Sequence, residues 1–304
     1  MLKNAAVGQN MKKKLKLLIP APLREWHRRW HKKNRERRFF RQCITTIKCG
    51  DFEIEAPEDH PLKKLLESQS SKDVCVGIAA KFVSAKYPNG TILDIGANIG
   101  DTAAIIATYS KNKLVLVEAS DYYFDILCRN ASRIPNVQAV KKSLISDGTV
   151  LSGSFSHWGG TANFHEEIAA KKQTKSQRLC DVAGSDTCFI KIDTDGYDFK
   201  ILRSSVEWLG KVQPAILFEN WLRNSADFAD ANALYSELSQ IGYMHFIVWD
   251  ASGFHLVSTS SLDTLKHLNR YLFKSKVVDY YDILCLHQKD EDIYTNISEW
   301  YINY

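Results

Sequence analysis

An α/β fold, with a mostly parallel sheet, helices on both of its faces and an antiparallel edge, is what this sequence predicts. Three observations predict it. From Thr91 onward, strand-like and helix-like segments alternate. The strand-like segments are continuous apolar runs, as expected of strands buried on both faces. The last third offers strand-like runs with no evident helical pattern between them, the mark of an antiparallel edge.

The elements follow in order. Thr45–Pro61 alternates at Ile47, Phe52 and Ile54 and predicts a small hairpin; Leu62–Leu66 and Val74–Ala85 predict helices, the second ending before the turn signal Pro88-Asn89-Gly90. Strands are predicted at Ile92–Ile95, Lys113–Val117, Val137–Ile145, Cys188–Ile192 and Ala215–Phe218. The intervening helices are Asp101–Ser110, Asp121–Ser132 capped by Asp121, Tyr197–Leu209 and Ala226–Ile241. Tyr243–Trp249, Phe254–Val257 and Tyr281–Leu286 form the antiparallel edge, with a turn at Ser252-Gly253. Residues 148–180 break the alternation and predict a hairpin or lid around Trp158-Gly159-Gly160.

Apolar residues make up 45% of the 304, which excludes a wholly disordered chain. Seven cysteines without CxxC spacing argue against a disulfide framework or a zinc knuckle and for a reducing cytoplasm. The net charge of +5 hides a split: residues 1–48 hold fifteen Lys/Arg against Glu25 and Glu36, leaving −8 for the remainder. The organisation read from this is a basic arm at 1–48, a segment at 49–90 packed on the core, and the main domain at 91–304. The arm's apolar run is too short and too interrupted to span a bilayer, which takes about 20 residues. After Pro22, Leu23, Trp26 and Trp30 share one helical face ringed by Arg and Lys. That mix suits peripheral contact of residues 11–42 with an anionic membrane at its inner face. A solvated basic tail is the plainer alternative, and nucleic acid is not expected because no recognition fold accompanies the charge. Vesicle flotation with and without residues 1–48 separates the two: a membrane contact predicts that only the intact chain floats.

The sharpest motif is Asp94-Ile95-Gly96-Ala97-Asn98-Ile99-Gly100-Asp101-Thr102, which follows a strand and opens a helix. Its glycine spacing differs from the dinucleotide fingerprint that serves a pyrophosphate. Asp94 and Asp101 would repel a diphosphate and attract the cationic amino and sulfonium groups of S-adenosylmethionine. Glu118 ends the second strand, 22 residues after Gly96, where an acid accepts hydrogen bonds from both ribose hydroxyls of a nucleoside. The candidate cofactor contacts in the loop are Asp94, Gly96, Ala97, Asn98, Gly100, Asp101 and Thr102. Glu118 and Ala119 join them at the second strand tip, and Ser143 on the third strand.

Asp94, Glu118, Asp193 and Glu219 each end a strand, and Asp195 lies two residues beyond, so several acids point into one crevice. Mutual repulsion raises their pKa values and fits one of them to act as a general base. Asp193 is the first candidate, Glu219 the second and His157 the third, with Asp195 in the same catalytic set. No metal motif of fixed spacing is present, and no metal is assigned. Trp158, Trp221, Phe155 and Phe164 offer aromatic faces nearby.

Leu93–Thr102, Val117-Glu118-Ala119, Phe189–Leu202 (FIKIDTDGYDFKIL) and Ile216–Asn220 together resemble the FkbM-type methyltransferase family over roughly residues 75 to 250. Where that family commonly carries glutamates around the glycine of its second motif, this chain has Asp195 and Asp198. The resemblance implies a Rossmann-like class I methyltransferase fold with seven strands. It also implies transfer of a methyl group from S-adenosylmethionine to oxygen, on a sugar or glycan precursor. A binding module that keeps the fold without turnover, and a methyltransferase acting on a small non-sugar metabolite, are the competing readings.

Overall fold

The computed structural model describes residues 43–67, 74–167, 173–275 and 278–302. The predicted arm helix and its tryptophans lie outside them; residues 44–48, at the arm's end, are already in a strand. No helix among the described residues is long and apolar enough to cross a membrane. All seven cysteines are free thiols.

The predicted hairpin is present as β1 (Ile44–Cys49) and β2 (Phe52–Pro57), paired antiparallel. Two helices follow, Leu62–Glu67 and Val74–Lys86. The sheet then begins with β3 (Thr91–Ile95), the helix Asp101–Tyr109, β4 (Lys113–Glu118), the helix Asp121–Ala131 and β5 (Val137–Lys142). Residues 148–180 build a separate antiparallel sheet from β6 (Val150–Trp158), β7 (Thr161–Glu166) and β8 (Gln173–Lys175), with β6 central. The main sheet resumes with β9 (Thr187–Ile192), β10 (Ala215–Asn220), β11 (Tyr243–Asp250), β12 (His255–Thr259) and β13 (Tyr281–His287).

Its order is β12-β11-β13-β10-β9-β3-β4-β5, parallel from β10 through β5 and antiparallel beyond. The α/β class and the antiparallel edge are as predicted. The strand number is eight rather than seven, because β12 adds to the free edge of β11. All residues of β3 and β9 are buried, which is why both read as continuous apolar runs. Their shared boundary is the topological switch point: the chain leaves β3 toward β4 and β5, then returns to the other side as β9. Open sheets of this kind bind ligands beyond the strand tips there.

Several boundaries move for local reasons. The helix after β4 has Ser120 as its N-cap residue; Asp121 stands in the first turn, where its charge suits the helix dipole. β5 stops at Lys142, and Ile145 instead bridges to Gln177 at the base of the inserted sheet. The long helix predicted over 197–209 is two, Asp198–Arg203 and Val206–Val212. Ser204 hydrogen-bonds back to the Ile201 carbonyl at the break, a use of serine that competes with helix continuation. The antiparallel edge does contain helices: Leu262–Ser275 carries the chain from β12 to β13, and Glu291–Ile302 closes it.

Asn130, fully buried on the helix after β4, fixes the hairpin to the core. Its amide donates to the carbonyls of Ile99 (2.7 Å) and Glu55 (2.8 Å) and accepts from Glu55 N (2.7 Å). Arg129 and Arg133 pair with the Glu55 carboxylate above it and hold its pKa below the ordinary glutamate value. One asparagine thus ties the segment before the sheet to the loop after β3.

Candidate functional site

A cleft lies over the tips of β3, β4 and β9. The loop after β3 forms its floor, with Gly96, Asn98, Asp101 and Thr102 in the lining. Glu118, Ala119 and Ser143 line it from the β4 and β5 side, and Asp193 and Asp195 from β9. Nine of the thirteen residues expected from sequence therefore meet in one place.

The loop is shaped by the protein rather than by a ligand. Gly96 has φ 80°, and a Cβ there would stand 1.9 Å from the Asp193 carbonyl oxygen. The glycine exists because the β3 and β9 tips touch, whereas the sequence suggested ligand approach as the reason. Gly96→Ala is expected to lower stability by about 2–4 kcal/mol, combining backbone strain with a forced backbone shift; urea unfolding measures it. Four of the loop's N–H groups are also spent. Gly96 and Ala97 donate to the Val117 carbonyl, Gly100 to that of Ala97, and Asn98 to the Glu118 carboxylate. None of these four N–H groups is left over to cradle a phosphate.

Asp94, Ala97 and Gly100 do not line the cleft. Asp94 is fully buried beneath the loop, and Lys191 Nζ lies 3.4 Å from it and 3.4 Å from Asp193. The expected contact between Asp94 and a cationic ligand is therefore corrected: the cation beside Asp94 is the protein's own lysine. Burial pushes the Asp94 pKa up, and Lys191 opposes that shift. Lys191 carried no assignment from sequence, although a lone lysine inside the buried run Thr187–Ile192 was the available signal.

Glu118 is 7% exposed. Oε2 accepts the N–H of Asn98 at 2.9 Å and Oε1 that of Ser120 at 2.7 Å. Burial raises its pKa, and the backbone donors work against the rise. An ionised carboxylate offers about four acceptor positions; the N–H groups of Asn98, Ser120 and Ala119 draw on up to three of them, which leaves at least one for a ligand.

The acids differ sharply. Asp195 sits at φ 52° in a tight turn, its pKa raised to about 7 by burial first and then by repulsion from Asp193 and Asp198. Asp198 is raised to about 6 by burial and Asp193, while Thr194 donates to it from both Oγ1 and its backbone N–H. Glu219 is pushed well above the ordinary value by burial and by Asp193. It does not line the main cleft but a smaller cavity that shares Thr102, Lys191 and Asp193 with it. One oxygen each of Asp193, Asp195 and Glu219 lie within 4.8 Å of one another, a spacing at which oxygen ligands could hold a divalent cation. Arg223, unremarked in the sequence, braces the Asp195 turn: it donates to the carbonyls of Asp195 (3.4 Å) and Gly196 (2.9 Å) while paired with Asp227 at 2.9 Å.

The β6–β7 hairpin roofs the cleft, as the lid expectation implied. Asn98 Nδ2 donates to the Gly160 carbonyl at 2.7 Å, and Tyr197 donates to Glu166 at 2.9 Å. Phe155 and Phe164 face each other edge-on and line the cleft with Tyr197. His157 is not in the lining. It bonds to Ser120 Oγ at 2.8 Å beside Tyr122 and Tyr123, so the expectation of a third base gives way to an anchor for the hairpin. Trp221 stands under the Arg223 guanidinium, 5.4 Å away. The Trp158 side chain lies outside the described set.

No protein-family model matches the chain, and no curated protein matches it. Among solved structures it is similar to methyltransferase FkbM from Methylobacillus flagellatus KT, at 13% identity and TM-score 0.41 over 65% of this chain. The chain spans 43% of that protein. It is also similar to an O-methyltransferase from Bacillus cereus in complex with SAH, at 14% identity and TM-score 0.39, covering 76% of this chain and 92% of that one. A third is TYW2 from M. jannaschii in complex with AdoMet, at 11% identity and TM-score 0.36, covering 81% and 88%.

Proposed function

We propose that the chain is an S-adenosylmethionine-dependent O-methyltransferase acting on a hydroxyl of a sugar or glycan precursor. The observation that carries this is one roofed cleft holding both Glu118, a buried carboxylate with acceptor capacity to spare, and Asp195, an acid with pKa about 7. A loop whose Gly96, Ala97, Asn98 and Gly100 N–H groups are already bonded, next to a carboxylate suited to a diol, fits a nucleoside that carries no phosphates.

The cofactor supplies a methyl group made electrophilic by its sulfonium. The protein's part is to hold, orient and deprotonate. Glu118 takes the ribose hydroxyls. Leu144 and Ile145, just beyond β5, give an apolar wall for the adenine. Asp195 takes the proton of the acceptor hydroxyl, displacing Asp193 as first candidate because its pKa matches neutral pH. Phe164 and Tyr197 form an aromatic wall near it, and aromatic faces suit a sugar ring. Lys191 offsets the charge of Asp94 and Asp193, so the acids do not simply repel one another. Positioning the acceptor oxygen in line with the methyl supplies much of the rate.

The sugar assignment draws on the FkbM-type motif resemblance and on these aromatic walls. Its test is transfer of labelled methyl from S-adenosylmethionine to the glycan fraction of cell extracts, compared with the small-metabolite fraction. Label in glycan is expected. Label confined to small non-sugar metabolites would overturn the acceptor class while leaving the methyltransferase reading in place.

A further inference from the structure

Resting on that cofactor reading, we infer that His60 is a cofactor-binding residue that grips the amino-acid end of S-adenosylmethionine. His60 comes from the segment between the β1–β2 hairpin and the sheet, which sequence motifs did not touch. Its position is set by the hairpin: its backbone N donates to the Pro57 carbonyl at 2.9 Å, and Asn130 fixes the hairpin to the loop after β3.

The ring is 7% exposed and lines the cleft. Nδ1 accepts the N–H of Leu62 at 3.3 Å, so in the neutral ring Nε2 carries the hydrogen. Nε2 makes no well-formed hydrogen bond; burial lowers the ring's pKa, and Asp101, the Gly160 carbonyl and the Asn98 side chain only partly oppose that. Asn98 Oδ1, in the same part of the cleft, is also buried without a partner. Buried polar atoms are rarely left unpaired, since each carries its full desolvation cost. His60 Nε2–H and Asn98 Oδ1 lie close enough to interact yet form no well-shaped bond, so a ligand that brings both an acceptor and a donor between them satisfies each better than they satisfy one another.

The cleft's polarity says which end of the ligand that is. Glu118 on β4 marks the ribose. At the β5 tip the lining is Ser143, Leu144 and Ile145, with no charged group. On the β3 side His60, Asn98, Asp101 and Thr102 add polar and charged groups beside Pro61, Leu62 and Ile95. The zwitterionic tail belongs there. His60 Nε2–H donates to its carboxylate, and Asn98 Oδ1 and Asp101 take the ammonium.

A role confined to holding the hairpin is distinguishable. Calorimetry on the full chain compares S-adenosylhomocysteine with 5′-methylthioadenosine, which has the nucleoside and sulfur but no amino-acid end. His60→Ala is expected to weaken S-adenosylhomocysteine by about tenfold to a hundredfold, the loss of one hydrogen bond to a charged group. Binding of 5′-methylthioadenosine stays unchanged, which also shows that the cleft is folded. His60→Gln, keeping a donor, recovers part of the loss. Equal weakening of both ligands, or of neither, would overturn the role. A native chain that binds neither ligand would instead remove the cofactor reading on which it rests.

Discussion

Asp195→Asn is expected to cut methyl transfer by about 10²–10⁴-fold, the usual contribution of a positioned general base, while cofactor binding persists and the fold becomes more stable. The cause of both effects is the same. Burial and the neighbouring Asp193 and Asp198 hold the Asp195 pKa at about 7, against an ordinary value of 3.8. Between those two values the folded chain keeps a proton that the unfolded chain has released. Stability therefore falls as pH rises through that window and stays reduced above it. Asparagine removes the burden and tolerates the left-handed backbone that Asp195 adopts. The variant's gain in Tm should grow from the ordinary aspartate value upward, reach its full size above about pH 7 and vanish below the ordinary aspartate range. In the native chain, on the proposed function, the rate should climb through the same neutral region as the base form appears. A pH–rate profile and parallel thermal melts read both. An unchanged alkaline-rising limb in the variant would move the base to Asp193 or Glu219.

Glu118→Ala is the second large effect. It removes the ribose acceptor oxygens and also strands the N–H groups of Asn98 and Ser120. Two charge-assisted hydrogen bonds correspond to about 10²–10⁴ in affinity, so S-adenosylhomocysteine binding should fall at least about a hundredfold. Both S-adenosylhomocysteine and 5′-methylthioadenosine should suffer alike, in contrast to the His60 variant, because both carry the ribose. Glu118→Gln keeps one acceptor oxygen and the side-chain shape and should fall between. Circular dichroism on the same samples separates lost binding from lost fold. Full-strength binding by the alanine variant would remove Glu118 from the cofactor site.

The parts of the molecule legible in the sequence were those whose signal is local. β3 and β9 are short apolar runs because both faces are covered, and the glycine loop and Glu118 sit at strand ends that any strand assignment locates. The residues that escaped notice act through distant partners. His60 reaches the cleft only because Asn130 pins the hairpin across more than seventy positions of chain. Lys191 matters because β3 lies beside β9 and places Asp94 against it. The proposed base is Asp195 rather than Asp193 because burial and its acidic neighbours raise the Asp195 pKa to about 7, which no spacing reveals. The helix Leu262–Ser275 was within reach: Leu265, Asn269 and Leu272 form its buried face at helical spacing. The strands on either side of it, His255–Thr259 and Tyr281–His287, mask that pattern.

The central claim is that an adenosyl ligand lies across the β3 and β4 tips with its ribose on Glu118. A crystal structure of the full chain with S-adenosylhomocysteine tests it most directly. The ribose diol should sit on the Glu118 carboxylate, the adenine toward Ile145 and the amino-acid end against His60. A ligand bound elsewhere, or with its ribose away from Glu118, would contradict the account.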